Sequence, residues 1–203
     1  GYMSLPLCLA SKILKIKLFL FEPNMVLGRS NKLFIKSCKK IFCYSDKIKN
    51  LPNKYISKIC VIPALLRKNF YNIKKADTID KSISLLIIGG SQGAKIFDTL
   101  IKYSIIELSK KYSLKIYQQT NSDNFEILKK FYKNKNIDCE LFDFNTDISN
   151  LMSKSNICIT RAGASTLAEL VFLNLPCLAI PLPTSRDNHQ FENAFFYNEI
   201  GCN

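Results

Sequence analysis

Ser84-Leu-Leu-Ile-Ile-Gly-Gly-Ser-Gln-Gly-Ala94 decides the fold. Its short apolar run, bounded by glycines, reads as a strand buried on both faces. The loop Gly89–Gly93 follows, and from Ala94 to Lys111 the apolar residues recur at helical spacing. Strand, glycine loop and helix in this order form the opening unit of a parallel α/β sheet. Glycines let a backbone turn tightly and approach a ligand with no Cβ in the way. The helix start adds free N–H groups and a positive dipole end, a seat for phosphate. Ser91 adds a hydroxyl donor. No Lys-Ser/Thr pair follows the last glycine and the spacing is not GxGxxG, so an ordinary tight turn stays open beside phosphate binding.

Outward from this stretch the pattern repeats. Downstream, strands are expected at Leu114–Gln118, Cys139–Phe144, Asn156–Thr160 and Cys177–Ile180. Helices are expected over 123–134, Ile148–Ser153, Ser165–Leu173 and Asn188–Tyr197. Upstream, a helix through about residue 14 precedes an apolar run, Lys17–Phe21, that ends in the turn Glu22-Pro23-Asn24. A helix over Leu27–Lys39 and a strand at Lys40–Tyr44 follow. Residues 45–82, rich in Lys, Asn and Asp, read as a connector with a short strand near Ile59–Ile62. Strands alternating with helices over short loops predict an α/β fold with parallel sheets covered on both faces.

In open α/β sheets ligands sit beyond the carboxyl ends of the strands, and two more loops at that edge carry unusual residues. Arg161-Ala-Gly-Ala-Ser-Thr166 is rich in small residues. Thr166-Leu-Ala-Glu169 fits a capping box, and equally places a carboxylate where it would accept both hydroxyls of a ribose. Pro181 to Gln190 gathers polar side chains at a helix start, including His189, the single histidine. One histidine without partners excludes a metal site built around it. Gln190 and Asn193 lie three apart on one helix face, suited to reading sugar hydroxyls. Lysine outnumbers arginine 25 to 4, and Arg161 and Arg186 both fall in these loops while Arg67 closes the connector. A guanidinium grips phosphate bidentately, as lysine cannot.

Charge is divided unevenly. Residues 1–75 carry sixteen Lys and Arg against two acids, net +14, and residues 76–203 carry thirteen against fourteen, net −1. A basic surface seeks phosphates, of lipid headgroups or of nucleic acid. Lysines interleave with Phe34, Phe42 and Tyr44, but no nucleic-acid-binding motif accompanies them. Eight scattered cysteines, none in a CxxC pair, read as core thiols of a reducing compartment. The longest apolar run, Leu5 to Phe21, is broken by Lys12, Lys15 and Lys17, so no membrane-spanning helix is expected. The chain opens on Gly-Tyr and closes on Gly-Cys-Asn, which reads as a piece of a longer protein.

Taken in order, the motifs resemble the MurG family of peptidoglycan N-acetylglucosaminyltransferases, which convert lipid I to lipid II. Gly1 to Pro6 is similar to that family's GGYxSxP segment, and Phe21-Glu-Pro-Asn24 with Gly28 and Asn31 to its HEQNxxxGxxN segment. Leu86 to Ala94 is similar to its GGSQGA loop, Arg161 to Glu169 to RAGAxTxxE, and Asp187 to Ala194 to DxHQxxNA. The resemblance implies a GT-B fold of two Rossmann-like doubly wound parallel sheets, the N-terminal one incomplete. Residues 1–66 would be the end of the acceptor and membrane side plus connector, and 67–203 the UDP-sugar domain. It implies transfer from UDP-GlcNAc to lipid I with inversion, without a cofactor or essential metal. The setting would be the cytoplasmic face of the inner membrane, on anionic lipid, beside other cell-wall synthesis proteins and without nucleic acid.

Residue by residue, the resemblance implies that Asn24 faces the donor sugar, Arg67 approaches the nucleotide and Ser91 holds the diphosphate. Gly163, Ala164, Ser165, Thr166 and Leu167 would line uracil and phosphates, and Glu169 would take the ribose. Gln190 and Asn193 would contact the GlcNAc hydroxyls, with His189 beside them. Two family positions differ, where histidine and glutamine give way to Phe21 and Pro23. The family's GNPVR segment is Pro63-Ala-Leu-Leu-Arg67, and its GGTGGH loop, bearer of the usual candidate base, is not in this sequence, so no base is named. A UDP-GlcNAc 2-epimerase, another GT-B enzyme and an inactive UDP-sugar-binding remnant are the alternatives.

Overall fold

A computed structural model describes residues 2–73, 82–90 and 94–202. The chain divides into two compact units: Gly1–Leu65 with Gly163–Leu167 and Pro183–Cys202, and Leu66–Ala162 with Ala168–Leu182.

In the first unit, α1 (Leu5–Ile13) leads to β1 (Phe19–Glu22), α2 (Arg29–Phe34), β2 (Lys40–Cys43) and β3 (Ile59–Val61). The three strands pair in parallel in the order β1-β2-β3. Leu20, Leu27, Phe34, Ile35, Cys38, Ile41, Cys43 and Ile48 form the core of this unit with Cys8 of α1. The expected helix over Leu27–Lys39 is shorter. Its apolar spacing continues through Ile35 and Cys38, but those side chains pack from a turn in which the N–H groups of Ser37 and Cys38 both reach back to the Phe34 carbonyl. Burial periodicity therefore outlasts the helix itself. Most of α1 is exposed, with Met3 before it and Leu7, Ile13 and Leu14 turned to solvent.

The second unit opens within the stretch read as a connector. Phe70, in a 3-10 turn over Lys68–Asn72, is 1% exposed and belongs to the core, so residues there are structural rather than loose. Then come β4 (Ser82–Ile88), α3 (Ala94–Ser109), β5 (Ser113–Gln119), α4 (Phe125–Lys133), β6 (Asp138–Phe142), α5 (Ile148–Ser153), β7 (Ile157–Thr160), α6 (Ala164–Phe172) and β8 (Cys177–Ala179). The sheet order is β6-β5-β4-β7-β8, with every described pairing parallel. β4 is the centre, and its alternation shows why the run is wholly apolar. Leu86 and Ile88 face one core with Met152, Cys158 and Leu170, whereas Leu85 and Ile87 face the other with Phe97, Ile101 and Ile105 of α3. A strand covered on both sides has no solvent face to mark with polar residues. The last helix, α7 (His189–Glu199), belongs to the first unit. Among the described residues no helix is long and apolar enough to cross a membrane.

Candidate functional site

The order of the larger sheet fixes where a ligand can enter. The chain leaves β4 toward β5 and β6 on one side and later returns to β7 and β8 on the other. The strand order reverses between β4 and β7, and in open α/β sheets ligands bind beyond the carboxyl ends of the strands at such a point. Ile88 is followed there by Gly89 and Gly90, the latter at φ +66°, where a side chain would be strained. The Gly90 N–H donates to Gln119 Oε1 at 3.0 Å, and Gln119 Nε2 donates to the Asp143 carbonyl at 3.0 Å. One side chain thus ties the exit of β4 to the exit of β6. Ser91 of the same loop lies outside the described residues.

Behind this edge sits a buried carboxylate. Asp98 on α3 accepts from Gln118 Nε2 at 2.9 Å, Thr120 Oγ1 at 2.7 Å and Asn124 Nδ2 at 2.9 Å. The Tyr132 hydroxyl donates to Gln118 Oε1 at 2.6 Å. Burial of that phenol pushes its pKa well above the ordinary tyrosine value. The network pins the first turns of α3 to the end of β5.

Glu169 on α6 is 3% exposed, and Arg67 grips it as a fork, Nε to Oε1 at 2.7 Å and a terminal nitrogen to Oε2 at 2.6 Å. The capping-box reading is corrected here. α6 begins at Ala164, two residues before Thr166, so Thr166 lies inside the first turn and the Glu169 oxygens are bonded to Arg67 instead. Each carboxylate oxygen keeps a further acceptor site, the geometry a vicinal diol needs. Phe144, which sequence reasoning passed over, stands 82% exposed two residues past β6 at the same strand edge. Its ring offers a flat stacking surface. The sequence placed it inside the expected strand Cys139–Phe144, whereas β6 ends at Phe142 and leaves the ring beyond it.

The first unit carries its own constellation. Glu22, 3% exposed, ends β1 and accepts four hydrogen bonds. Oε1 takes the Asn24 backbone N–H at 3.3 Å and Asn24 Nδ2 at 3.1 Å, and Oε2 takes the Gly28 N–H at 2.7 Å and Asn31 Nδ2 at 2.9 Å. A Cβ on Gly28 would stand 3.0 Å from Glu22 Oε2, so only glycine lets the backbone close on that oxygen. Asn24 is held from its other end by Asn193 of α7, whose Nδ2 donates to Asn24 Oδ1 at 3.0 Å. Asn193 Oδ1 accepts the buried Met25 N–H at 2.9 Å. Asn193 is 1% exposed, so its side chain braces the Asn24 loop, while Gln190 at the start of the same helix is partly exposed.

Arg29 forks onto Asp187, both contacts at 3.1 Å, and that guanidinium draws the exposed Asp187 carboxyl below its usual range. Asp187 and Asn188 take φ of 51° and 56°, consecutive left-handed residues that Asp and Asn tolerate best. His189 Nδ1 lies 2.8 Å from the Arg186 carbonyl. A carbonyl only accepts, so Nδ1 carries the proton, and in the neutral ring Nε2 is left as an acceptor. A cavity of about 200 Å³ is lined by Leu5, Val26, Leu27 and Leu33, with Asn24 and His189 among its polar members. Gly163–Leu167 also belongs to this unit, with Ala164 and Leu167 buried, Gly163 and Thr166 partly exposed and Ser165 exposed. Among the described residues no group of three potential ligands could hold a metal ion.

Relatives give this arrangement a context. A protein of Pelagibacter ubique (strain HTCC1062), named UDP-N-acetylglucosamine--N-acetylmuramyl-(pentapeptide) pyrophosphoryl-undecaprenol N-acetylglucosamine transferase, is 68% identical over 203 residues, covering 100% of this chain and 57% of the relative. A protein of the same name from Rickettsia bellii (strain RML369-C) is 35% identical, covering 100% of this chain and 59% of its own length. The chain therefore spans less than two thirds of these curated relatives. The crystal structure of Acinetobacter baumannii MurG superposes with a TM-score of 0.77 at 27% identity, covering 99% of this chain and 56% of that one. A UDP-GlcNAc 2-epimerase from Neisseria meningitidis, solved bound to UDP-GlcNAc, shares the fold with a TM-score of 0.57 at 18% identity, over 96% of this chain and 64% of that one. The model of the glycosyltransferase family 28 C-terminal domain matches residues 84–202, the stretch that builds the five-stranded sheet and runs on through α7. This chain belongs to glycosyltransferase family 28.

Proposed function

We propose that this chain is the UDP-sugar-binding part, with a portion of the acceptor side, of an enzyme that transfers GlcNAc from UDP-GlcNAc to lipid I with inversion, forming lipid II. The observation that carries this reading is 68% identity along the whole chain to a relative named for that transfer. The geometry agrees with it. In the second unit, Ser91 and the start of α3 would receive the diphosphate, and Glu169, held open by Arg67, would take the ribose hydroxyls. Amides at a helix start stabilise the charge that gathers on departing UDP. Gly163, Ala164, Ser165, Thr166 and Leu167 would follow uracil and phosphates with their backbone. In the first unit, Asn24, fixed by Glu22 and Asn193, would meet the sugar, and Gln190 and Asn193 would contact its hydroxyls with His189 beside them. Residues 1–66 would serve the acceptor side and 67–203 the nucleotide.

The net +14 of residues 1–75, beside the exposed Leu7, Ile13 and Leu14, suits an anionic lipid surface on the cytoplasmic side of the inner membrane, where partners in cell-wall synthesis would also be met. Titration calorimetry of UDP against the chain and its Ser91→Ala and Glu169→Ala variants tests the reading. Wild-type binding weakened by both substitutions is expected. Binding indifferent to both would refute the site.

A further inference from the structure

We propose that Arg161 is a binding residue for the ligand's diphosphate, a buried cation whose charge the protein leaves for an anion to answer. The inference rests on the reading that the second unit binds a nucleoside diphosphate sugar. Arg161 is 7% exposed and follows β7 directly, at the point where the sheet order reverses. Its backbone N–H donates to the Ile88 carbonyl at the end of β4, at 3.3 Å. One terminal nitrogen donates to the carbonyls of Ile180 at 3.1 Å and Pro181 at 3.2 Å, just past β8. The guanidinium lies 5.0 Å over the ring of Phe97, in the first turn of α3. It thus touches the exits of β4, β7 and β8 and the helix that follows the glycine loop.

All of those partners are neutral. Nε is buried with no hydrogen-bond partner. Arg29 and Arg67 behave differently, each forked onto a carboxylate. Burial lowers the Arg161 pKa with no opposing carboxylate to raise it. A buried charge that carbonyls and a ring only partly offset is unfavourable in the empty protein. An anion arriving at the start of α3 would relieve that penalty, and the helix dipole acts in the same direction. A neutral nucleoside would gain nothing from it. Arg161 therefore discriminates by charge, while Glu169 and Arg67 deal with the neutral ribose.

The test is a ladder of probes (uridine, UMP, UDP and inorganic pyrophosphate) titrated by calorimetry into the wild-type chain and its Arg161→Gln and Arg161→Lys variants. Arg161→Gln is expected to weaken UDP and pyrophosphate by at least about tenfold, as loss of one charge–charge contact at an effective dielectric near 20 requires. Uridine should change less than about threefold, well under that charge term. Arg161→Lys should recover most of the loss, because it restores the charge but not the twin carbonyl contacts. Equal weakening of uridine and UDP would reduce Arg161 to a brace for the loops and overturn the proposal, as would unchanged pyrophosphate binding. Wild-type binding of pyrophosphate but not of uridine or UDP would sink the nucleotide reading alone and leave Arg161 as an anion site. Binding of none of the four would sink both.

Discussion

Glu22→Gln isolates the carboxylate at the centre of the Asn24 loop, because the substitution keeps size and shape and removes one acceptor. Glu22 accepts two N–H groups on each oxygen and is 3% exposed. A glutamine can satisfy one of those pairs with its oxygen, and its NH₂ must then face the other two donors. The weaker pair, at 3.3 and 3.1 Å from Asn24, is the one to be released. Net hydrogen bonds to a charged group are worth about 1.5–3 kcal/mol each, and a buried donor left unmet costs about 1–3 kcal/mol. Asn24 is only partly buried, so water recovers some of this. The expected loss is about 3 kcal/mol. For a chain of this size that corresponds to roughly 6–12 °C in Tm if the first unit melts with the rest. Urea unfolding followed by far-UV circular dichroism measures it, with the slope m checked for an unchanged unfolded state. A loss under about 1 kcal/mol, the worth of a single neutral hydrogen bond, would refute the picture of a carboxylate holding four donors.

Two further predictions concern the pair at Glu169 and a buried thiol. Arg67→Ala strands a carboxylate that is 4% exposed, but the guanidinium it removes is 52% exposed, so the roughly 3–5 kcal/mol of a fully buried pair falls to about 1–2 kcal/mol. In a double-mutant cycle Arg67→Ala and Glu169→Gln should be less than additive by about 1 kcal/mol, and strict additivity would exclude the coupling. The thiol of Cys43 is pushed up to about 12, first by burial and then by the neighbouring Glu22 charge and Cys60. Stability from keeping it neutral is fully present below its ordinary value of 9.0 and is lost as pH rises through about 12. Iodoacetamide should leave Cys43 unmodified at pH 9 in the folded chain, with mass spectrometry of peptides as readout. Rapid labelling there under native conditions would contradict its burial.

The central strand was legible because its core, Leu85–Ile88, is short, wholly apolar and closed by Gly89 and Gly90, signals that local chemistry writes into neighbouring residues. β4 and its alternating faces follow from six adjacent side chains. The site was legible only in part. Glu169 was marked as a carboxylate near a helix start, but its partner Arg67 lies 102 residues away, and no local pattern joins them. Asn193 sat three residues from Gln190 and suggested a shared sugar-facing stripe. The structure adds bonds from it to Met25 and Asn24, which a one-turn spacing cannot reveal, since it gives a helix face but not what that face meets. Glu22 was visible only as a surviving member of a motif. Its four donors come from three residues within the next nine, a closed loop whose hydrogen bonding depends on chain reversal rather than on periodicity.

The bond from Met25 to Asn193 joins residues 168 apart, with the whole of β4 to β8 between them. At about 5–20 residues per second, a ribosome finishes α7 on the order of ten to thirty seconds after the Asn24 loop has emerged. Until then the Met25 N–H and the Asn24 amide have no α7 to bind. The five-stranded sheet, by contrast, has all its strands once β8 is made. Vectorial synthesis therefore imposes an order, in which the unit begun first is completed last and by its most distant segment.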